Sequence, residues 1–232
     1  MNLQRLIAEG EHQQQDFKFE ITSACKIARS LSAFANTDGG RLLIGVKDNG
    51  AIAGVRSDEE MYMVEAAGEV WCNPPVYPRM TAYRVPVPSS AHDMRTVVIA
   101  EIDPVMQRPV RARLEDGTFR AFVRIADENI VASPVQMELW HSENNPDGTL
   151  LPLSNDELSL LRLLPSNAAS SVFNSPSPNS SSLIPNSALT LRQFCRRARL
   201  PRHRAIRLLA AFIRFGLAQE TFHDHTFVYS SL

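Results

Sequence analysis

AFANTDGGRLLIGVKDNGAIAGV, residues 33–55, is the stretch on which the fold turns. Paired glycines leading into an apolar run either cradle a phosphate or turn a corner. A phosphate-binding glycine loop follows a strand and opens a helix, so that the positive N-terminus and its free N–H groups face the anion. Here the order is reversed. Residues 22–36, TSACKIARSLSAFAN, place Ile27, Leu31 and Phe34 at helical spacing behind Thr22 or Ser23 as a cap. Gly39 and Gly40 therefore close a helix and precede a strand, RLLIGV at 41–46. No GxxxxGK[ST] loop occurs in the chain. A left-handed glycine ending a helix is the economical reading, and no nucleotide is expected.

On the N-terminal side, QDFKFEI (15–21) alternates as a strand, with Phe17 and Phe19 on one face and Asp16, Lys18 and Glu20 on the other. On the C-terminal side, KDNG (47–50) is a hairpin turn and AIAGV (51–55) the returning strand. Asp58 to about Cys72 reads as a helix, and RTVVIAEI (95–102) as a strand. RPVRARL and FRAFVRI form a hairpin around EDGT (115–118), and SPVQMELWH (133–141) is a helix with Pro134 near its start. Helices, strands and hairpins mixed in this way predict an α+β fold with a mixed sheet over residues 1–145, not a doubly wound parallel sheet.

A second domain is expected over 146–232. Within it, residues 165–188 hold 17 Ser, Pro or Asn among 24 and no charge, which reads as a flexible insertion. Around it the text is helical. Ser154 with Glu157, and Thr190 with Gln193, spell capping boxes. Pro201 opens a helix with Ala205, Leu208, Leu209 and Phe212 on its inner stripe, Gly216 ends it, and LAQETFHDHTFVY reads as a two-stranded wing. Three helices and a hairpin are the order of a winged helix-turn-helix. His223-Asp224-His225 falls where the wing must turn and lacks the spacing of a zinc site.

The net charge of −1 conceals an asymmetry. Residues 1–150 carry 15 Lys/Arg against 21 Asp/Glu, whereas residues 151–232 carry 9 Arg against 4 acids. Eight of those arginines lie between 192 and 214, and no acid occurs from 158 to 219, so the C-terminal third has the charge of a polyanion binder. Three scattered cysteines, Cys25, Cys72 and Cys195, make no CxxC pair and suggest reduced thiols in a cytoplasmic protein. Neither a secretion signal nor a membrane span is legible, so no membrane partner is expected.

The elements Glu11-x4-Asp16-Phe17-Lys18, Ala33-Phe34-Ala35-Asn36-Thr37-Asp38-Gly39-Gly40, and Leu43-Ile44-Gly45-Val46 with Asp48, Gly50 and Gly54, together with Arg124, resemble the Schlafen AlbA-like domain over about residues 5–140. That resemblance implies a DNA- or RNA-binding module, followed in many bacterial members by a winged helix. In nuclease-active relatives three carboxylates hold a divalent metal, and the matching positions here are Glu11, Asp16 and Asp48, with Mg²⁺ or Mn²⁺ as the implied ion. The second acid is the shorter Asp16 where relatives carry Glu, and Ala126-Asp127 stands where they often have Gly-Ser. Lys18 is the neighbouring cation that would steady the carboxylates or a phosphate.

Two candidate binding surfaces follow from the residues themselves. On the hairpin, Arg111, Arg113, Arg120 and Arg124 around Phe122 suit phosphate contacts and base stacking. On the C-terminal helices, Arg202, Arg204 and Arg207, with Arg196 and Arg197 before the turn, lie off the apolar stripe where a recognition helix meets a duplex. The leading expectation is a regulatory DNA- or RNA-binding protein. Its rivals are a metal-dependent endoribonuclease using Glu11, Asp16, Lys18 and Asp48, and a protein-interaction adaptor in which the winged helix joins protomers of a homo-oligomer.

Overall fold

The computed structural model describes residues 2–55, 58–87, 90–145, 153–166 and 188–232, and the chain divides into two compact units, Met1–Ala132 and Ser133–Leu232. Most of the Ser/Pro/Asn-rich stretch expected to be an insertion lies outside the described residues. Among the described residues no helix is long and apolar enough to cross a membrane.

The first unit is a mixed α+β structure with two four-stranded sheets. The first contains β1 (Gln15–Lys18), β2 (Gly40–Ile44), β4 (Arg79–Val87) and β5 (Ser90–Ile102), in the order β1-β2-β5-β4. The second contains β3 (Cys72–Asn73), β6 (Arg111–Arg113), β7 (Phe119–Ile125) and β8 (Glu128–Val131), in the order β3-β6-β7-β8. Strand β1 runs parallel to β2, and the remaining pairs are antiparallel.

Helix α2 (Ala24–Asn36) joins the layers. Its residues meet Leu42, Ile44, Val98 and Ala100 of the first sheet and Val110, Ala112 and Phe122 beside the second, in one continuous core. Helix α3 (Asp58–Trp71) packs against α2, and α1 (Leu3–Glu9) places Leu3 and Leu6 in a smaller core with Phe17, Leu43, Val97 and Ile99 on the other face of the first sheet. Because α2 is covered on nearly every side, its polar residues bond inward. Asn36 Nδ2 donates to the carbonyls of Val110 (2.8 Å) and Phe122 (2.9 Å), and its Oδ1 accepts the Val110 amide at 2.7 Å. Ser32 Oγ donates to the Val110 carbonyl at 2.9 Å and accepts the Phe122 amide at 3.1 Å. These two side chains thus satisfy backbone groups that would otherwise be buried without partners.

The glycines turn a corner. Gly39 has φ +70°, and its amide donates to the Phe34 carbonyl at 3.0 Å, closing α2 before β2 begins. A β-carbon at Gly40 would lie 2.4 Å from a ring carbon of Phe34. The strand expected at 51–55 does not form. Strands β1 and β5 already occupy both edges of β2, so the returning chain makes one bridge, Val46 to Ile52, and then folds its Ala53 and Gly54 amides onto the Gly45 carbonyl at 2.8 and 2.9 Å.

The second unit begins with α4 (Pro134–Asn144), capped by Ser133. Its Val135 enters the core of this unit. There follow α5 (Asn155–Leu160) with a 3₁₀ turn at Leu161–Leu163, β9 (Leu189–Thr190), α6 (Leu191–Ala198), α7 (Arg202–Arg214), β10 (Ala218–His223) and β11 (Thr226–Ser231). Both capping boxes form as spelled, on Ser154/Glu157 and Thr190/Gln193. The strands order as β10-β11-β9. Asp224 and His225, at φ 45° and 58°, make the two-residue hairpin turn, which is the place of the His-Asp-His run. Phe194, Ala205, Leu209, Phe212 and Tyr229 are fully buried between these elements.

Candidate nucleic-acid interface

The residues of the two candidate surfaces and of the acidic trio are placed very differently by the fold. Strand β1 lies at the edge of its sheet, yet both of its faces are covered, and Asp16 is 4% exposed. Lys18 Nζ stands 2.8 Å from Asp16 Oδ2, Ser30 Oγ donates to the same oxygen at 3.3 Å, and Arg124 Nη2 is 3.6 Å from Oδ1. Glu11 joins this cluster. Its Oε1 accepts the Phe17 amide at 2.8 Å, and its carboxyl hydrogen-bonds Asp16. Burial and that hydrogen bond push the Glu11 carboxyl above its ordinary range. Burial acts the same way on Asp16, but the Glu11 bond, Lys18 and Arg124 outweigh it and hold Asp16 below the usual value.

Asp48 does not join them in a metal-holding group. It sits exposed on the turn after β2, and among the described residues no three His, Cys, Asp or Glu side chains gather as metal ligands. The charge of Asp16 is already answered by Lys18 and Arg124, so the trio Glu11, Asp16 and Asp48 as arranged does not fit Mg²⁺ or Mn²⁺.

The hairpin surface is corrected by its register. Arg113 pairs with Phe119 and Arg111 with Ala121, so these four share one face, while Ala112 and Arg120 pair on the other. Phe122 and Arg124 follow Arg120 onto that second face, which meets α2, and both are buried. Phe122 belongs to the core, and Arg124 is a structural tie. Its guanidinium donates to Asn129 Oδ1 at 3.0 Å and to the Gln15 carbonyl at 3.1 Å, and lies 5.1 Å from the centre of the Phe34 ring. Alternation alone could not show this, because the facing helix had not been placed over the strand. Arg113 and Arg120 are exposed, Arg111 is half-buried, and the exposed aromatic of the hairpin is Phe119.

The C-terminal arginines stand where their spacing puts them. Ala205, Leu208, Leu209 and Phe212 are buried, and Arg202, Arg204, Arg207 and Arg214 are exposed on α7. Arg192, Arg196 and Arg197 are exposed on α6, and Arg199 on the turn, where it takes the left-handed conformation at φ 53°. Among the described residues, Arg207 alone of these eight lies within ion-pair distance of a carboxylate, Glu138 at 3.5 Å. Arg204 faces Asp156 and Glu157 across a shallow groove, and Arg214 donates to the Ser142 carbonyl at 2.9 Å. The remaining guanidinium groups point to solvent. At this end of the unit, positive charge exceeds what the acids among the described residues neutralise.

The Schlafen, AlbA_2 family profile matches residues 11–133. No curated protein matches the chain. Among solved structures, the DIP2311 protein of Corynebacterium diphtheriae is similar at 20% identity and a TM-score of 0.43, over 65% of this chain. The shared region covers 29% of that protein, so the chain spans well under half of its length. With over half of its residues matched by the profile, and with the Ala-Phe-Ala-Asn-Thr-Asp-Gly-Gly corner folded as a helix end that enters a central strand, the chain belongs to the Schlafen AlbA_2 family.

Proposed function

We propose that this protein is a regulatory nucleic-acid-binding protein whose second unit is a winged helix-turn-helix, with α7 as the helix that meets the duplex and α6 and the β10–β11 hairpin flanking it. The element order supports that reading, as does the pairing of β9 with β11 beside the hairpin. The carrying observation is the exposure of eight arginines on and between α6 and α7, with one of them paired to an acid among the described residues. Guanidinium groups so arranged release counterions from a phosphate backbone, which gives affinity that falls with salt. Membership of a family with a nucleic-acid-related role points the same way.

The test is fluorescence anisotropy of short DNA and RNA duplexes against the full chain over a range of NaCl concentrations. Each phosphate neutralised contributes about −0.9 to the slope of log affinity against log salt on duplex DNA. The double substitution Arg202→Gln/Arg204→Gln is expected to weaken binding and to make the slope shallower by about 2. An affinity that neither salt nor these substitutions change would overturn the reading.

A further inference from the structure

The register of the second sheet places three side chains in a row that the reading of the hairpin from sequence did not assemble. Cys72 pairs with Ala112, so the preceding residue, Trp71, stands beside Arg113, which in turn pairs with Phe119. Arg113 and Phe119 lie on the face opposite Ala112, which points into the core, while Trp71, at the end of α3, is half-buried and packs partly against that core. Arg113 is exposed with its guanidinium 5.8 Å from the centre of the Trp71 ring, and Phe119 is 44% exposed. Arg111 follows in the next row on the same face. Neither Arg111 nor Arg113 has a carboxylate within ion-pair distance among the described residues. The acids of the hairpin tip do not cancel them directly: Asp116 is engaged by the amide and hydroxyl of Thr118, at 2.9 and 2.7 Å.

A row of ring, guanidinium and ring spans two strand spacings, or about 10 Å. That is suited to unstacked bases, which present π-faces to aromatic side chains while their phosphates meet arginine. A duplex hides those faces. We infer that Trp71, Arg113 and Phe119, with Arg111 behind them, form a stacking platform on the first unit for single-stranded nucleic acid. This deepens the proposed function and rests on it for the class of ligand. It assigns the two units different substrates, a single strand on the sheet of the first and a duplex on the arginine ridge of the second.

The experiment uses the full chain with a labelled oligothymidylate and, in parallel, a labelled duplex. Phe119→Ala and Arg113→Gln are each expected to lower single-strand affinity about tenfold while duplex affinity stays within about twofold, and Phe119→Tyr to retain it. Trp71 supplies a direct readout, because the other tryptophan, Trp140, is 1% exposed. Oligothymidylate should quench the intrinsic fluorescence, and Trp71→Phe should remove the quenching. Unchanged single-strand affinity in both Phe119→Ala and Arg113→Gln overturns the platform, as does an equal loss for both ligands. A change in sedimentation of the free Phe119→Ala protein would make this face a contact between copies of the chain and also overturn it. The two readings fail separately: if Arg202→Gln/Arg204→Gln leaves duplex binding intact while Phe119→Ala weakens the single strand, the ridge falls and the platform stands.

Discussion

Asp16 is a buried carboxylate on which Lys18, Arg124 and Glu11 converge. It binds Lys18, faces Arg124 and accepts a hydrogen bond from Glu11, all at a strand edge with little access to water. Removing one partner of a buried ion pair costs more than the pair contributes, since the other charge is left desolvated and alone. Asp16→Asn is therefore expected to destabilise the protein by about 3 kcal/mol, measured by urea denaturation at neutral pH. A loss within experimental error would show that Arg124 is held by Asn129 and the Gln15 carbonyl without help from the carboxylate. The sequence made Asp16, Arg124 and Asn36 conspicuous without disclosing why. Their roles depend on residues far along the chain, such as Val110 and Phe122 for Asn36, and no local pattern encodes which strand will pass over which helix.

At the scale of elements, what is local was legible. Capping boxes, the turn within the His223-Asp224-His225 run and the inner stripe of α7 depend on neighbours a few residues apart, and they form as read. What depends on sheet edges was not. The segment 51–55 has a strand's composition, but β2 has no free edge for it, and β4, β8 and β9 are paired by partners that the text does not name. One junction binds three elements of the second unit. Ser133, the cap of α4, donates to Glu220 of β10 at 2.5 Å, and Tyr229 of β11 donates to the same oxygen at 2.7 Å. Burial pushes the Glu220 carboxyl up, against the two hydrogen bonds that favour its charge. A carboxyl raised in the folded state stabilises fully below its ordinary value of 4.5 and loses that contribution as pH rises through the folded value. Glu220→Gln, which retains an acceptor, should therefore gain stability over the parent as pH increases from about 4 to 7.5, with little difference at the acid end. Denaturation curves at the two pH values check this, and a difference independent of pH would show that Glu220 titrates as it does in the unfolded chain.

For the whole molecule, the near-neutral total charge is the sum of an acidic first part and a basic last one. Solubility follows the total, but encounter with a polyanion follows the local field. A duplex at a hundredfold excess over its dissociation constant is expected to stabilise the folded chain by about 2.7 kcal/mol, seen as a rise in the thermal midpoint that disappears at high salt. A rise that survives high salt would mean that something other than charge holds the duplex. Fold class was accessible from sequence because one short corner is so strongly specified, whereas the face that carries Arg113 and Phe119 was not, because it depends on the register of β3, β6 and β7.

That corner has one more implication. The edge of the Phe34 ring fills the space that even a methyl group on Gly40 would need. Its spelling is thus dictated by room and not by reactivity. A single added carbon at position 40 would meet both that ring and the Gln14 carbonyl, so the ring or the backbone around it would have to shift.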